Sequence, residues 1–226
     1  MTEAADAAGG RVLVVGGGQG IGLAVASAFE GRATSWTRSD GVDAADPASV
    51  RGALAQLLDA HGAPYALVHT VGDFVERPLL QTDTTDFRHL FESNVTAVFE
   101  VVRAVVPHMM AAGRGRVVLF AAAGADRQKA MLRAPVYFAA KAALIQLARS
   151  LALEAAPSGV TVNVVAPGLI DHEHSHRESQ ARMLPKVPLG RVGSCGDVVS
   201  MVRYLLAPEA AYVTGQVLTV DGGLQA

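Results

Sequence analysis

Short, uninterrupted apolar runs alternate with stretches of helical spacing from residue 11 to the end of this chain. The runs are "RVLVVG" (11–16), "ATSW" (33–36), "YALVHTVG" (65–72), "GRVVLFAAAG" (115–124), "VTVNVVAPG" (160–168) and "QVLTVDG" (216–222). Helical patterns lie between them at 20–30, 47–62, 85–113, 136–159 and 195–209. In the second of these, Val50, Leu54, Leu57 and Leu58 share one face. A strand that is apolar at every position, not at alternate ones, is covered on both faces, which marks a parallel sheet between two layers of helices. The chain is therefore expected to form one α/β domain over 11–226, a doubly wound parallel sheet, with 1–10 a disordered lead-in.

The turn between the first strand and the first helix reads "VGGGQGIG" (15–22). In a doubly wound sheet (a Rossmann fold) this turn sits at the carboxyl edge, where ligands bind. Gly16, Gly20 and Gly22 permit a tight turn, a close approach of backbone N–H groups to a pyrophosphate, and close packing of helix on strand. The helix N-terminus adds a partial positive charge facing the phosphates. Standing alone, a glycine-rich turn is weak evidence; in this position it points to a dinucleotide.

Composition narrows the partners. A formal net charge of −2 and a pI near 6.4 give no reason to expect nucleic acid or an anionic membrane as partner. No uninterrupted apolar run reaches the ~18 residues of a membrane span, and "MTEAADAAGG" has neither the basic nor the apolar region of a signal peptide. Cys195 is the sole cysteine, which excludes an intrachain disulfide and a cysteine-rich metal site. A soluble cytoplasmic protein is expected.

Five segments together resemble the short-chain dehydrogenase/reductase family. "VGGGQGIG" keeps its T-G-x-x-x-G-I-G turn except that Val15 stands for Thr; "SNVTAVF" is similar to the helix bearing its active-site Asn, here Asn94; "YFAAK" is similar to its Tyr-x-x-x-Lys signature. "VTVNVVAPGLI" resembles the strand entering the Pro-Gly turn near the nicotinamide, and "PLGRVGSCGDVVSMVRYLL" with "YVTGQVLTVDGG" resembles the C-terminal segments. The resemblance implies a cofactor site made by Gly16, Gly18, Gln19, Gly20, Ile21, Gly22, Thr70, Gly72, Pro167, Gly168 and Ile170. Asp43 is similar to the Asp that contacts the adenine amino group, although the stretch from Arg38 to Asp43 is short and lacks the usual intervening helix.

Cofactor choice falls at the end of the second strand, "SWTRSDG". A carboxylate there selects NAD, whereas a guanidinium forks onto the extra phosphate of NADP. Arg38 aligned with that position favours NADP(H); a register in which Asp40 takes its place would favour NAD.

Tyr137 and Lys141 are four residues apart and share a helix face, and an ammonium beside a phenol favours the phenolate, so the Tyr137 pKa is expected to fall. The resemblance implies Tyr137 as proton donor to a substrate carbonyl, Lys141 on the nicotinamide ribose, and Asn94 holding a water that links Lys141 to solvent. The implied reaction is hydride transfer between NADP(H) and the carbonyl or alcohol of a small, cyclic or aromatic substrate.

Two departures stand out. The family's carbonyl-polarising Ser aligns with Ala122, and residues 117–136 contain no Ser or Thr. Losing one such donor typically costs ~3 kcal/mol, or about 10²–10³ in rate. A substitute donor from Asp126, Gln128, Lys129 or Arg133 is one account; a substrate already activated is a second; a cofactor-binding sensor or scaffold with weak turnover is the third. The second departure is "HTVG" (69–72), where the family has Asn-Asn-Ala-Gly; His69 is expected to be a packed structural residue.

The loop 171–186, "DHEHSHRESQARMLPK", is expected to be a mobile lid over the substrate, with His172 within reach of it. Its alternating His172, His174 and His176 read as a solvated loop, with no metal site. The apolar residues Val98, Val102, Val105, Leu144, Leu147 and Leu151 suit either a helical interface or burial on the sheet, and the resemblance implies a homodimer or homotetramer.

Overall fold

The structure is a computed structural model that describes residues 9–127, 129–173, 175 and 177–226. Most of the expected lead-in, together with Gln128, His174 and His176, lies outside the described residues. Six strands form one parallel sheet: β1 (Val12–Val15), β2 (Ala33–Trp36), β3 (Ala66–His69), β4 (Gly115–Phe120), β5 (Val160–Pro167) and β8 (Val217–Val220). A two-residue ladder joins β6 (Ile170–Asp171) to β7 (Gly193–Ser194), a pairing for which two residues give no periodic signal. The helices are α1 (Gly20–Ala28), α2 (Pro47–His61), α3 (Thr84–Phe91), α4 (Ala97–Ala111), α5 (Pro135–Ala155), α6 (Arg177–Met183) and α7 (Cys195–Leu206).

The main sheet runs β2-β1-β3-β4-β5-β8. Register pairs Val14 with Ser35 on one side and with Val68 on the other. Because successive side chains of a strand point to opposite faces, Leu13, Val15, Leu67, Val117, Leu119, Val162 and Val164 meet one helical layer, which includes Val50, Leu54, Val98, Val105 and Leu144 from α2, α4 and α5. Val12, Val14, Val68, Val118 and Val165 meet the other, with Val25 and Phe29 from α1 and its end and Val198, Val202 and Leu205 from α7. Both faces are covered, as the unbroken apolar runs require.

This placement settles what the helices 85–113 and 136–159 do with their apolar residues. Val98, Val105 and Leu144 are buried against the sheet, Val102 and Leu151 are partly so, and Leu147 is 40% exposed. α5 is apolar and long enough to cross a membrane by composition alone, yet Leu144, Ile145, Ala148 and Ala152 pack it into the core.

The chain leaves β1 toward β2 and returns to β3 on the opposite side of β1. That reversal opens a crevice at the carboxyl ends of β1 and β3, the place where such sheets bind ligands. β2 is one of the two edge strands, followed by a 3₁₀ turn (Arg38–Asp40) and then α2, whose Asp46 cap accepts from the Ala48 and Ser49 N–H groups.

Candidate active site

Gly16 follows β1 with φ +90°, a conformation that favours glycine. The turn then folds back so closely that a Cβ on Gly22 would lie 2.1 Å from the Gly16 carbonyl oxygen and 2.6 Å from Thr70 Oγ1. Thr70 is a strut beneath the turn, its hydroxyl donating to the Val15 carbonyl at 2.9 Å. α1 begins at Gly20, and its N-cap Gln19 offers no side-chain cap, which leaves the first N–H groups to other acceptors. Ile21 is partly buried against the α1–α7 core, and Gly18 faces Thr37 at the end of β2.

Past β2, Thr37 Oγ1 lies 2.7 Å from Ser39 Oγ and 2.5 Å from Asp40 Oδ2, so the Asp40 carboxylate is turned back onto the foot of the 3₁₀ turn. Arg38 is exposed and has no ion-pair partner among the described residues. Asp43 uses its side chain locally, accepting from the Ala45 N–H at 3.0 Å.

The long helix read from the sequence at 85–113 is interrupted. α3 and α4 are joined by a π-helical turn (Glu92–Thr96) with Ser93 and Asn94 buried in it. π-turns are short and concentrate at functional sites. Here Asn94 Nδ2 donates to the carbonyls of Leu90 and Asp73, each at 2.9 Å. Its Oδ1 is buried with no partner among the described residues. A Cβ on Gly72 would lie 2.4 Å from that Oδ1 and 2.8 Å from Lys141 Nζ, so both atoms converge on one point beside Gly72.

Lys141 is 3% exposed, and its Nζ donates to the Phe120 carbonyl at 2.8 Å and sits 5.8 Å from the centre of the Tyr137 ring. Burial lowers its pKa to about 8, against an opposing pull from the Asp73 carboxylate, which is itself paired with His89 at 2.9 Å. The expectation for Tyr137 is reversed. Loss of water on burial pushes the phenol pKa up, not down, while Lys141 Nζ donates to the Phe120 carbonyl. The Tyr137 ring packs edge-on against Phe74 at 4.9 Å and Phe138 at 5.5 Å.

His69 ends β3 on the same face as Leu67 and is 1% exposed, with neither ring nitrogen partnered among the described residues. Burial, reinforced by the Lys141 charge, drives its pKa to about 3, so it is neutral at ordinary pH and lies inside the fold. Ala122 is partly buried against the α4–α5 layer. Of the proposed substitute donors, Arg133 pairs with Glu76 at 3.6 Å, Asp126 and Lys129 are exposed, and Gln128 lies outside the described residues.

Pro167 accepts the Ala123 N–H at 2.9 Å, and Gly168 packs so tightly on Asp221 that a Cβ would be 2.6 Å from it. Ile170 turns its side chain into the core. Beyond it the loop carries α6, whose Ser179 and Arg182 both bond Glu76 on the segment after β3. Glu76 is invisible in sequence because Ser179 and Arg182 lie more than 100 residues away and Arg133 also comes from a distant element.

A family model described as enoyl-(acyl carrier protein) reductase matches residues 4–225. The 3-oxoacyl-(acyl-carrier-protein) reductase FabG of Escherichia coli strain K12 is 31% identical over 236 residues, covering 94% of this chain and 96% of that protein. The crystal structure of gox2181 superposes with a TM-score of 0.88 at 25% identity, covering 99% of each chain. ElxO with NADP bound superposes with a TM-score of 0.84 at 23% identity, covering 95% of this chain and 98% of that one, a likeness of fold.

Proposed function

The chain belongs to the short-chain dehydrogenase/reductase family, and on that premise we propose that it is an NADP(H)-dependent oxidoreductase of the ketoreductase type. Its substrate is the carbonyl or alcohol of a small, cyclic or aromatic molecule. The observation that carries this reading is the convergence of Asn94 Oδ1 and Lys141 Nζ beside Gly72, with Tyr137 next to them and the glycine turn packed on Thr70, two residues before Gly72. The 3-oxoacyl reductase named above and the NADP-bound ElxO structure support it, and the Phe74 ring against Tyr137 suits a flat ring.

The residues present fit a dinucleotide. Side-chain-free backbone at Gly16, Gly20 and Gly22 would admit the pyrophosphate to the α1 terminus, Arg38, with no ion-pair partner among the described residues, would meet a 2′-phosphate, and Asp40 is engaged elsewhere. When bound, the reduced cofactor supplies hydride to the substrate carbon. Tyr137, kept protonated by its raised pKa, donates to the carbonyl oxygen. The phenolate so formed regains a proton relayed from the Lys141 ammonium, and Lys141 is reprotonated in turn by a water that donates to Asn94 Oδ1 and exchanges with solvent. The protein acts in the cytoplasm as a homodimer or homotetramer, for which exposed Leu147 on α5 and Phe99 on α4 offer apolar surface.

Equilibrium binding of NADPH and NADH, followed by nicotinamide fluorescence, tests the cofactor. NADPH should bind more tightly, and Arg38→Ala should erase about 10- to 100-fold of that preference. A preference for NADH would move the discrimination to Asp40.

The pH dependence has a defined sign. Lys141 loses its proton as pH rises through about 8, so kcat/KM for carbonyl reduction, which reports free-enzyme groups, should decline above that point. Asp73 holds the Lys141 pKa up; Asp73→Asn should therefore move the decline to lower pH. A decline that stays in place would show that another group titrates.

A further inference from the structure

The lid fastens itself onto the glycine turn. Ser175 Oγ donates to the Ile170 carbonyl at 3.1 Å and accepts the His172 N–H at 2.8 Å, while the Ser175 N–H returns to the His172 carbonyl at 3.0 Å. This tight turn presents Glu173, whose Oε1 accepts the Gly20 N–H at 2.7 Å across 153 residues of sequence. Gly20 is the first residue of α1, nine residues long and without a side-chain cap of its own. Orphan N–H groups and the positive end of the helix dipole make that terminus an anion site, and the anion on it is the lid's own carboxylate. The His172 ring covers the same glycine, with Nδ1 3.5 Å from the position of a Gly20 Cβ. The far end of the lid is held separately, by Ser179 and Arg182 on Glu76, and Arg177 braces its start on Asp171 at 2.8 Å.

We propose that Glu173 is a built-in competitor for the dinucleotide pyrophosphate: the closed lid places a carboxylate on the N–H group that a phosphate oxygen must take. The proposal rests on the reading above that the α1 terminus receives a dinucleotide. Carboxylate and phosphate have the same charge sign and both accept from a single N–H, so they exclude one another at Gly20. The apparent affinity for cofactor is then reduced by the fraction of molecules in which Glu173 is seated. Cofactor entry displaces the Glu173 carboxylate from Gly20, while the Glu76 ties keep α6 in place. Dinucleotide binding thereby loosens the glycine-turn end of the lid before substrate arrives.

Full-length wild type, Glu173→Gln and Glu173→Ala are titrated with NADPH, and each is subjected to limited proteolysis with and without it. Glu173 is on an exposed loop, so both variants should fold, with a cofactor-free thermal midpoint lower than wild type by only the few degrees that loss of the Gly20 contact accounts for. Glu173→Ala should bind NADPH about 10-fold more tightly, as expected for removing a charge-assisted contact that holds the competing state. Glu173→Gln should fall between. The KM for NADPH should drop with kcat unchanged. Cleavage within 171–186 should require NADPH in wild type and occur without it in Glu173→Ala. Equal or weaker NADPH binding by a folded Glu173→Ala overturns the competitor role alone. Failure of wild type and variant to bind either NADPH or NADH overturns the dinucleotide reading along with it.

Discussion

Tyr137→Phe is expected to lower kcat by about 10²–10⁴ while leaving NADPH affinity close to that of the wild type. The substitution removes one oxygen and little else. The ring keeps its edge-on contacts with Phe74 and Phe138, and Lys141 keeps its bond to the Phe120 carbonyl, so stability and the cofactor cradle should survive. The raised phenol pKa means that Tyr137 enters each reductive turnover protonated. Transfer of that proton is needed only as charge develops on the substrate oxygen, so kcat and kcat/KM should fall together. With no hydroxyl between 117 and 136 to stand beside it, the loss should not be partly masked by a second donor. Turnover retained within about 10-fold would mean that the proton comes from elsewhere, with Lys129 and Arg133 as the next residues to test.

Gly22→Ala should abolish NADPH binding and lower the thermal midpoint. The added carbon would sit 2.1 Å from the Gly16 carbonyl oxygen and 2.8 Å from its carbon, both backbone atoms, with Thr70 Oγ1 at 2.6 Å on the other side. No flexible side chain can give way, so β1, the turn and α1 must separate. Overpacking of this kind costs about 1–3 kcal/mol or more, equivalent to several degrees in Tm for a domain of this size (about 2–4 °C per kcal/mol). The widened turn also misplaces the N–H groups that a pyrophosphate needs. Gly52→Ala is the matched contrast. Gly52 lies inside α2 with nothing within 4 Å of the added carbon, so it should stabilise by up to about 1 kcal/mol through helix propensity. Similar midpoints for the two variants would refute the packing argument.

Several elements are legible in the sequence because their signals are local. Each strand run and each helical stretch occupies its expected place, since periodicity and apolar continuity report directly on which faces are covered. Ends are less legible. The run 115–124 continues past β4, which stops at Phe120, because Ala121 and Ala123 still bond to Val165 and Pro167 although the ladder has ended. Nothing in the spacing of 85–113 marks the π turn at 92–96; its extra residue is accommodated where Asn94 meets the carbonyls of Leu90 and Asp73.

The sequence by itself determined the parallel sheet, the glycine turn at its edge, and the Tyr137–Lys141 pair on one helix face, because each depends on residues within a turn or two of one another. Tertiary structure alone decided how those groups are charged and what they meet. The four-residue spacing of Tyr137 and Lys141 is compatible with a phenol pKa shifted either way; burial sets its direction. The histidine-flanked Glu173 reads as part of a solvated tract until the fold carries it 153 residues back to Gly20. Desolvation and long-range contact are properties of a packed volume, and no local stretch of the chain encodes them.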